Sequence, residues 1–163
     1  MKKLGRFLIF VALLISPMLL FGCAAKKASE SPSAVSSPQY EDRGEKVSDP
    51  SAVIGDFFKR TDNRAELCSS KISDSDIRNI LQQLSDFGGH WFITDDGSSE
   101  YKAISGTDYN AKPNEHVYKV IVGEDVQGFS VFKGDGYAIV VTNPNTGKSY
   151  ISEIKLKKTE DKK

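Results

Sequence analysis

Residues 73–89, SDSDIRNILQQLSDFGG, decide the fold of this chain, because they hold its clearest periodic pattern and the point at which that pattern changes. Apolar side chains recur every three or four positions, which is the spacing of one helix face. These side chains are Ile77, Ile80, Leu81, Leu84 and Phe87. Polar residues take most of the other positions, so the stretch predicts an amphipathic helix over 73–87 whose apolar face packs against a core.

The two ends of this helix also have a sequence signature. Ser73 and Asp76 have the spacing of a capping box, in which side chains at a helix start bond the free amides of its first turn. Gly88 and Gly89 follow the last apolar position, and glycine often ends a helix because it adopts a positive φ at no steric cost. The helix should therefore begin after Ser73 and stop before the two glycines.

Beyond the glycines the apolar residues alternate at every second position, which predicts β-strands. Six candidate strands are separated by connections rich in Gly, Asn and Asp: 90–94, 101–105, 116–122, 126–132, 137–142 and 148–156. Most connections, including 123–125 and 133–136, are short enough for hairpins, and consecutive hairpins form an antiparallel meander. Strand 137–142 is apolar on both faces, so it is predicted to lie centrally in the sheet.

Helical patterns precede residue 73 as well. Residues 48–50, Ser-Asp-Pro, predict a helix start, since proline tolerates the first turn. A one-sided apolar stripe follows, made of Val53, Ile54, Phe57 and Phe58. Residues 62–67 favour a second short helix or an extension of the first. The sequence thus predicts an α+β fold, with two or three N-terminal helices packed on one face of a five- to six-stranded antiparallel meander sheet.

The first 23 residues have the order of a secretory signal. Lys2, Lys3 and Arg6 precede the apolar run 7–21, and a cysteine ends the stretch Leu20-Phe21-Gly22-Cys23. This arrangement resembles the lipobox of bacterial lipoproteins. The resemblance implies cleavage before the cysteine, a thioether-linked diacylglyceryl group on Cys23, and a third acyl chain such as palmitate on its amino group.

A membrane-spanning helix and an ordinary secretory signal are the two alternatives for this segment. A membrane-spanning helix needs about 20 apolar residues, whereas the run 7–21 is shorter and contains Ser16 and Pro17. An ordinary secretory signal, cleaved among the small residues 22–25, is the other alternative. Phe21 is bulkier than the residue usual at its place in a lipobox, but cysteine is a rare residue at the end of an apolar segment, so lipidation is favoured.

The chain divides into four parts. They are a signal peptide (1–22), the lipidated Cys23 with a linker rich in Ser, Ala and Pro (23–49), a single α+β domain (50–157) and a charged tail (158–163). In many Gram-negative lipoproteins, an aspartate directly after the lipidated cysteine resembles a mark for retention in the inner membrane. This chain has Ala24 at that position, so the lipoprotein resemblance implies an outer-membrane location facing the periplasm. The cell surface and a Gram-positive membrane are alternatives within the cell envelope.

Charge and cysteine content limit the function further. The full chain has 22 basic and 22 acidic side chains, and removal of residues 1–22 leaves 19 basic ones. A mature chain with excess negative charge is the opposite of what nucleic-acid binding requires. Cys68 is the only cysteine besides Cys23. Burial as a small apolar side chain is favoured for it over pairing with another chain.

Each candidate motif for catalysis or metal binding lacks a residue, a length or a structural context that its chemistry requires. The triplet 147–149, Gly-Lys-Ser, has Thr142 where a phosphate-binding loop needs glycine, and it lies between predicted strands. The acidic stretch 95–100 is too short for a calcium loop. His90 and His116 begin separate predicted strands, and with Cys68 they form a weak zinc set. We therefore expect no metal, no cofactor and no catalytic residues.

Aromatic residues give the remaining functional indication. Many of them fall in the predicted sheet: Trp91, Phe92, Tyr101, Tyr109, Tyr118, Phe129, Phe132, Tyr137 and Tyr150. Most should belong to the core, but any that lie on a face without helices would form an exposed patch, which usually marks a partner site.

These observations favour a non-catalytic envelope lipoprotein whose small domain binds an envelope protein, as an assembly factor, accessory subunit or inhibitor. The alternatives are an envelope enzyme or small-ligand carrier with a site near loop 106–115, and a surface-exposed, antigen-like lipoprotein.

The lipid anchor gives a direct prediction. Cys23→Ala should remove all acyl mass and shift the protein from the membrane to the soluble fraction, because each buried methylene contributes about 0.8 kcal/mol to membrane binding. Intact-mass spectrometry of both forms measures this. An unmodified wild-type chain, or one that still starts at Met1, would contradict it.

Overall fold

The structure is a computed structural model that describes residues 38–127 and 129–159. The predicted signal peptide, the lipobox with Cys23, and the last four residues lie outside the described residues. No helix in the described part of the chain is long and apolar enough to cross a membrane.

Five strands and three α-helices make a mixed fold with an antiparallel sheet. In chain order the elements are β1 (Glu45–Lys46), α1 (Ala52–Lys59), a 3-10 helix (Arg64–Leu67), α2 (Asp74–Asp86), β2 (His90–Thr94), α3 (Ser98–Ser105), β3 (Glu115–Val126), β4 (Phe129–Thr142) and β5 (Lys148–Lys158). The sheet order is β1-β5-β4-β3-β2. Strands β2 to β5 are neighbours in chain order, with β4 in the middle of the sheet.

The predicted ends of α2 are confirmed. Ser73 Oγ accepts a hydrogen bond from the Asp76 amide at 3.3 Å, and Asp76 Oδ2 accepts one from the Ser73 amide at 2.9 Å. The Ser73 hydroxyl also donates to Asp76 Oδ2 at 2.6 Å, and this bond, with the one from the Ser73 amide, holds the pKa of Asp76 below its usual value. Beyond the helix, Gly88 and Gly89 have φ of 104° and 79°, which only glycine adopts freely.

One apolar cluster joins the helices to the sheet. The predicted stripe of α1 is buried in it, and the four residues are Val53, Ile54, Phe57 and Phe58. The residues that the sheet contributes to this cluster include Tyr118, Val120, Val122, Ala138 and Val140. Cys68 is buried in the same cluster as a free thiol, so its predicted burial is confirmed. Burial raises its pKa to about 12.

The predicted strand 101–105 is wrong, because these residues end α3. Tyr101 and Ile104 are three positions apart and both half-buried, which is helical rather than alternating spacing. The helix ends at Gly106, which has φ of 78°. The Lys119 ammonium pairs with the Glu100 carboxylate and ties α3 to β3.

Two of the predicted hairpin turns are also wrong. Residues 123–125 and 133–136 lie inside strands, and β3 and β4 form one long hairpin. Their glycines allow close approach of backbones instead of turns. A Cβ at Gly123 would overlap the Val131 carbonyl oxygen, and a Cβ at Gly136 would overlap that of Lys155.

Residues 38–49 differ from the predicted linker, because they belong to the same compact unit as the rest of the described chain. Glu45 pairs with Ser149 at the edge of the sheet. Gly44 has φ of 80°, and a Cβ there would overlap the Ser149 carbonyl oxygen. Composition predicted a linker because the contacts that order this segment come from distant parts of the chain, namely strand β5, residues 69–70 and residues 113–114.

Two phenylalanines with opposite environments test this core. Phe57 is 0% exposed and Phe92 is 50% exposed. Phe57→Ala should lower the free energy of unfolding by about 3–5 kcal/mol, since it leaves a cavity. Phe92→Ala should cost about 1 kcal/mol or less. Urea unfolding of both variants measures the difference, and equal losses would contradict this description of the core.

Candidate functional site

The sheet has a second face, opposite the apolar cluster, which we call the outer face. Because side chains alternate along a strand, Ala138 and Val140 enter the cluster whereas Tyr137, Ile139 and Val141 point the other way. By register, partners of these three residues on β3 and β5 share the outer face. They include Glu115 and Tyr150 opposite Val141, and Glu153 opposite Ile139.

An irregularity in β5 brings two of these side chains to the same face. The register shifts at Ser152, so that Tyr150 pairs with Val141 and Glu153 pairs with Ile139. A regular strand would place residues 150 and 153 on opposite faces, because their separation is odd. The Ser152 hydroxyl donates a hydrogen bond to the Ile139 carbonyl at 3.3 Å. This bulge therefore builds part of the outer face.

A cleft of about 520 Å³ lies over the outer face. Segment 38–41 forms one wall, and the end of loop 106–115 with Tyr101 of α3 forms another. Its floor is the β4 and β5 surface around Ile139 and Val141. The polar and aromatic residues that line it are Tyr40, Glu41, Ser69, Lys71, Tyr101, Asp108, Tyr109, Lys112, Glu115, Tyr150, Ser152 and Glu153.

Three tyrosine rings pack against each other at the cleft, and one of them joins α3 to the sheet. The Tyr101 ring lies 4.8 Å from that of Tyr137 and 5.3 Å from that of Tyr109, measured between centroids. These are the distances of favourable aromatic pairs. Tyr137 is completely buried, so Tyr101 and Tyr109 present the accessible aromatic surface.

The hydroxyl of Tyr137 is satisfied by a carboxylate. It donates a hydrogen bond of 2.7 Å to Glu153 Oε1, and Lys155 Nζ lies 2.9 Å from the same oxygen. Burial opposes ionisation of Glu153, but the bonds from Lys155 and Tyr137 outweigh it and hold its pKa below the usual value. Burial, with the hydrogen bond to Glu153, raises the pKa of Tyr137 far above its usual value.

Segment 38–41 is fixed to the domain from both sides. The Tyr40 hydroxyl donates to the Pro113 carbonyl at 3.0 Å and accepts from Asn114 Nδ2 at 2.8 Å. The Glu41 carboxylate accepts bonds of 3.0 to 3.1 Å from Ser69 Oγ and from the amide and hydroxyl of Ser70. Burial opposes ionisation of Glu41, but these bonds outweigh it and lower its pKa.

Glu115 and Tyr109 lie beside each other in the cleft. The Glu115 side chain is 13% exposed, and its ion-pair partner is Lys112 Nζ at 3.4 Å, on a side chain 75% exposed. Burial raises the pKa of Tyr109 to about 12, and the negative charge of Glu115 and its hydrogen bond with the hydroxyl add to the effect, so the hydroxyl stays neutral.

A second feature is the far end of the long hairpin, residues 124–132, which we call the hairpin arm. In the described sheet, Glu124, Asp125 and Val126 of β3 pair only with β4. The large exposed apolar residues of the described chain are gathered there and on β2. They are Phe92 (50% exposed), Val126 (44%), Val131 (38%) and Phe132 (58%).

The residues that the sequence singled out as possible site residues lie in different parts of the structure. His90 and His116 are exposed on separate strands, and neither lines the cleft. No group of three or more potential metal ligands occurs among the described residues. Loop 106–115, predicted as the location of a small-ligand site, does contribute to the cleft. The lipidation site Cys23 lies outside the described residues and stays a prediction.

Sequence reasoning missed most of the residues that build the cleft. Tyr40 and Glu41 were assigned to the linker, although a tyrosine among small polar residues could have indicated a docking point. Glu115 and Glu153 were not separable from the other acidic residues, since carboxylates are abundant throughout the chain. Among the predicted aromatics, Tyr118, Tyr137 and Tyr150 proved buried, whereas Phe92 and Phe132 are exposed.

Comparisons of the chain with protein-family models, with curated proteins and with solved structures found no match.

The Glu153 environment predicts a pH dependence of stability. Its folded-state pKa lies below the ordinary value of 4.5, so the ionised carboxylate stabilises the fold above pH 4.5, and this is lost as the pH falls through the lower, folded-state pKa. Glu153→Gln should therefore be less stable than wild type at pH 7, and the difference should shrink in acid. Urea unfolding from pH 7 to pH 3 measures it.

Tyr137→Phe is the companion variant, since it removes one of the bonds that lower this pKa. It should reduce the pH-dependent part of the stability without abolishing it. A Glu153→Gln deficit that grows as the pH falls would contradict the assignment.

Proposed function

We propose that this protein is a non-catalytic lipoprotein of the bacterial cell envelope, held on the membrane by lipid at Cys23, whose domain binds another envelope protein through the hairpin arm and Phe92. The observation that carries this proposal is that three of the four large exposed apolar side chains of the described residues, Val126, Val131 and Phe132, lie on the hairpin arm, with the fourth, Phe92, on β2. Large apolar side chains concentrated on one exposed element often mark a protein interface.

The proposal takes α1, α2 and the 3-10 helix as a layer on one face of the sheet. Support comes from the apolar cluster that their side chains share with Ala138 and Val140. α3 is different, because its Tyr101 contacts Tyr137 on the outer face. Because both faces of the central strand are occupied near Ile139, the proposal places the partner on the arm.

The arm has the properties of a protein-binding element. Its backbone pairs on one side only, so a strand of another chain could extend it. Val126, Val131 and Phe132 would supply apolar contacts beside those hydrogen bonds. The partner is thus a protein with an extended apolar segment, which fits an assembly factor, an accessory subunit or an inhibitor.

The charge of the arm favours a protein over a lipid surface. Glu124 and Asp125 lie at its end, and Glu124 pairs with Lys133 at 2.9 Å. Polybasic segments are attracted to anionic lipids, whereas this arm has more acidic than basic side chains. Membrane attachment is then assigned to Cys23 and partner binding to the arm.

Site-specific crosslinking in the native membrane tests the proposal. Phe132→p-benzoylphenylalanine should give one discrete crosslinked protein on illumination, and Phe92→p-benzoylphenylalanine should give the same one. The control is Gln82→p-benzoylphenylalanine, on the exposed side of α2, which should give none. Val131→Ser should weaken the crosslink from position 132 several-fold, because it removes an adjacent apolar contact.

Two results would overturn the proposal. One is an equal crosslink from positions 132 and 82. The other is crosslinking of position 132 to lipid, together with flotation of the Cys23→Ala protein on vesicles that depends on Phe132.

A further inference from the structure

We infer that the free edge of strand β5 binds an acidic segment of another protein in extended form, as an additional strand beside α2. This edge lies on the opposite side of the sheet from β2, and its residues differ from those of the hairpin arm and Phe92. The inference therefore does not depend on the proposed function.

Much of β5 has no strand on the side away from β4. β1 pairs only with Lys148 and Ser149, and the bridge between Cys68 and Ile151 is the last pairing on that side in the described chain. Over residues 153–158, the pairing of β5 among the described residues is with β4 alone. This stretch is the free edge.

The orientation of the backbone shows which groups the free edge offers. The carbonyl oxygens of Lys155 and Lys157 lie against glycines of β4. Since backbone groups alternate between the two sides of a strand, those of the intervening and flanking residues face away from β4. These residues are Ile154, Leu156 and Lys158. Their N–H and C=O groups are the ones with which an added strand would pair.

A groove of about 510 Å³ lies between the free edge and α2. One wall is a single face of α2, and the residues on it are Asp76, Asn79, Ile80 and Gln83. Residues 152–156 of β5 form the other wall. Ile72 and Ile104 also line the groove and are half-buried, so they offer apolar surface. A strand added here would place its backbone against β5 and alternate side chains against α2, as in binding by strand addition.

Lysines without partners indicate the charge of the occupant. Lys71 lines the groove, Lys157 and Lys158 lie beyond its end, and all three are exposed with no ion pair among the described residues. The carboxylates of the groove are already engaged, Asp76 by the capping box and Glu153 by a hydroxyl and an ammonium group. The uncompensated charge is therefore positive, and an acidic segment complements it.

The same lysines disfavour a second copy of this chain as the occupant. Two free edges paired with each other would bring the like charges of Lys155, Lys157 and Lys158 together, and edge lysines are a common means of preventing such association. Anionic lipid would also attract these lysines, but a lipid headgroup would leave the backbone groups of the edge unpaired. An acidic extended segment of another protein satisfies both the charges and the backbone.

Fluorescence anisotropy on the full chain in mild detergent tests the inference. The probe is a short peptide of alternating Glu and Val that has a neutral fluorophore, and the control peptide has Lys in place of each Glu. The acidic peptide should bind, with an affinity that falls as ionic strength rises, because the lysines that attract it are exposed. The control peptide should bind about tenfold more weakly or not at all.

Two N-methylated forms of the acidic peptide test the strand geometry. One is methylated on the amide of every Glu, and the other on the amide of every Val. Because alternate amides of a strand point to opposite sides, only one form should lose its hydrogen bonds to β5. That form should bind about tenfold or more weakly than the other.

Three variants give the expected dependence on charge. Lys71→Gln and Lys157→Gln should each weaken binding about two- to fivefold, since each removes one exposed ionic contact. Lys46→Gln is the matched control, because Lys46 is also exposed with no ion pair in the described chain but lies on β1, outside the groove. It should change binding less than about twofold. Thermal unfolding of each variant separates loss of binding from loss of fold.

Several results would overturn the inference. They are failure of the acidic peptide to bind the folded wild type, equal binding of the lysine peptide, equal weakening of the two N-methylated forms, and equal weakening by Lys46→Gln and Lys157→Gln. Flotation of the Cys23→Ala protein on phosphatidylglycerol vesicles, lost in Lys157→Gln and without peptide binding, would assign the lysines to lipid instead. A dimer in sedimentation that Lys157→Gln strengthens and the peptide does not disrupt would assign the edge to a second copy. Crosslinking from Phe132 does not enter any of these outcomes.

Discussion

The burial of strand β4 on both faces is the constraint on which the rest of this structure depends. Each side chain from Tyr137 to Val141 is at most 6% exposed, so each face of the strand must be covered by some other part of the chain. On one face, Ala138 and Val140 lie in the apolar cluster that also contains side chains of α1 and α2. The other is covered by α3, the loop after it and segment 38–41, and the imperfect fit of these pieces leaves the cleft.

The same constraint explains why the two ends of the long hairpin differ. Near Ile139 the hairpin has neighbours on both sides and polar groups that are mostly satisfied. Beyond Gly123 it has lost β2 as a neighbour, and its apolar residues face outward. An exposed Phe132 adds little to the free energy of unfolding, because most of its apolar surface is not buried in the fold. The proposed partner binding would bury that surface.

How far the sequence predicts this fold depends on whether each signal is local. The capping box of α2, its apolar stripe and strand 90–94 were predictable, because their causes lie within a few residues. Gly123 and Gly136 were misinterpreted as turns, since their cause is the backbone of a neighbouring strand. The cleft was only partly predictable for the same reason. Its walls come from three distant segments, and the bulge at Ser152 that orients Glu153 has no local signature.

The buried thiol has a consequence for chemistry in an oxidising compartment. Thiolate is the form that reacts with disulfides and oxidants. Because burial raises its pKa to about 12, Cys68 stays protonated at neutral pH. If Cys23 carries lipid, the folded mature protein presents no reactive sulfhydryl. Dithiol oxidoreductases would then act on it only during synthesis or after unfolding, and its native state would be indifferent to redox stress.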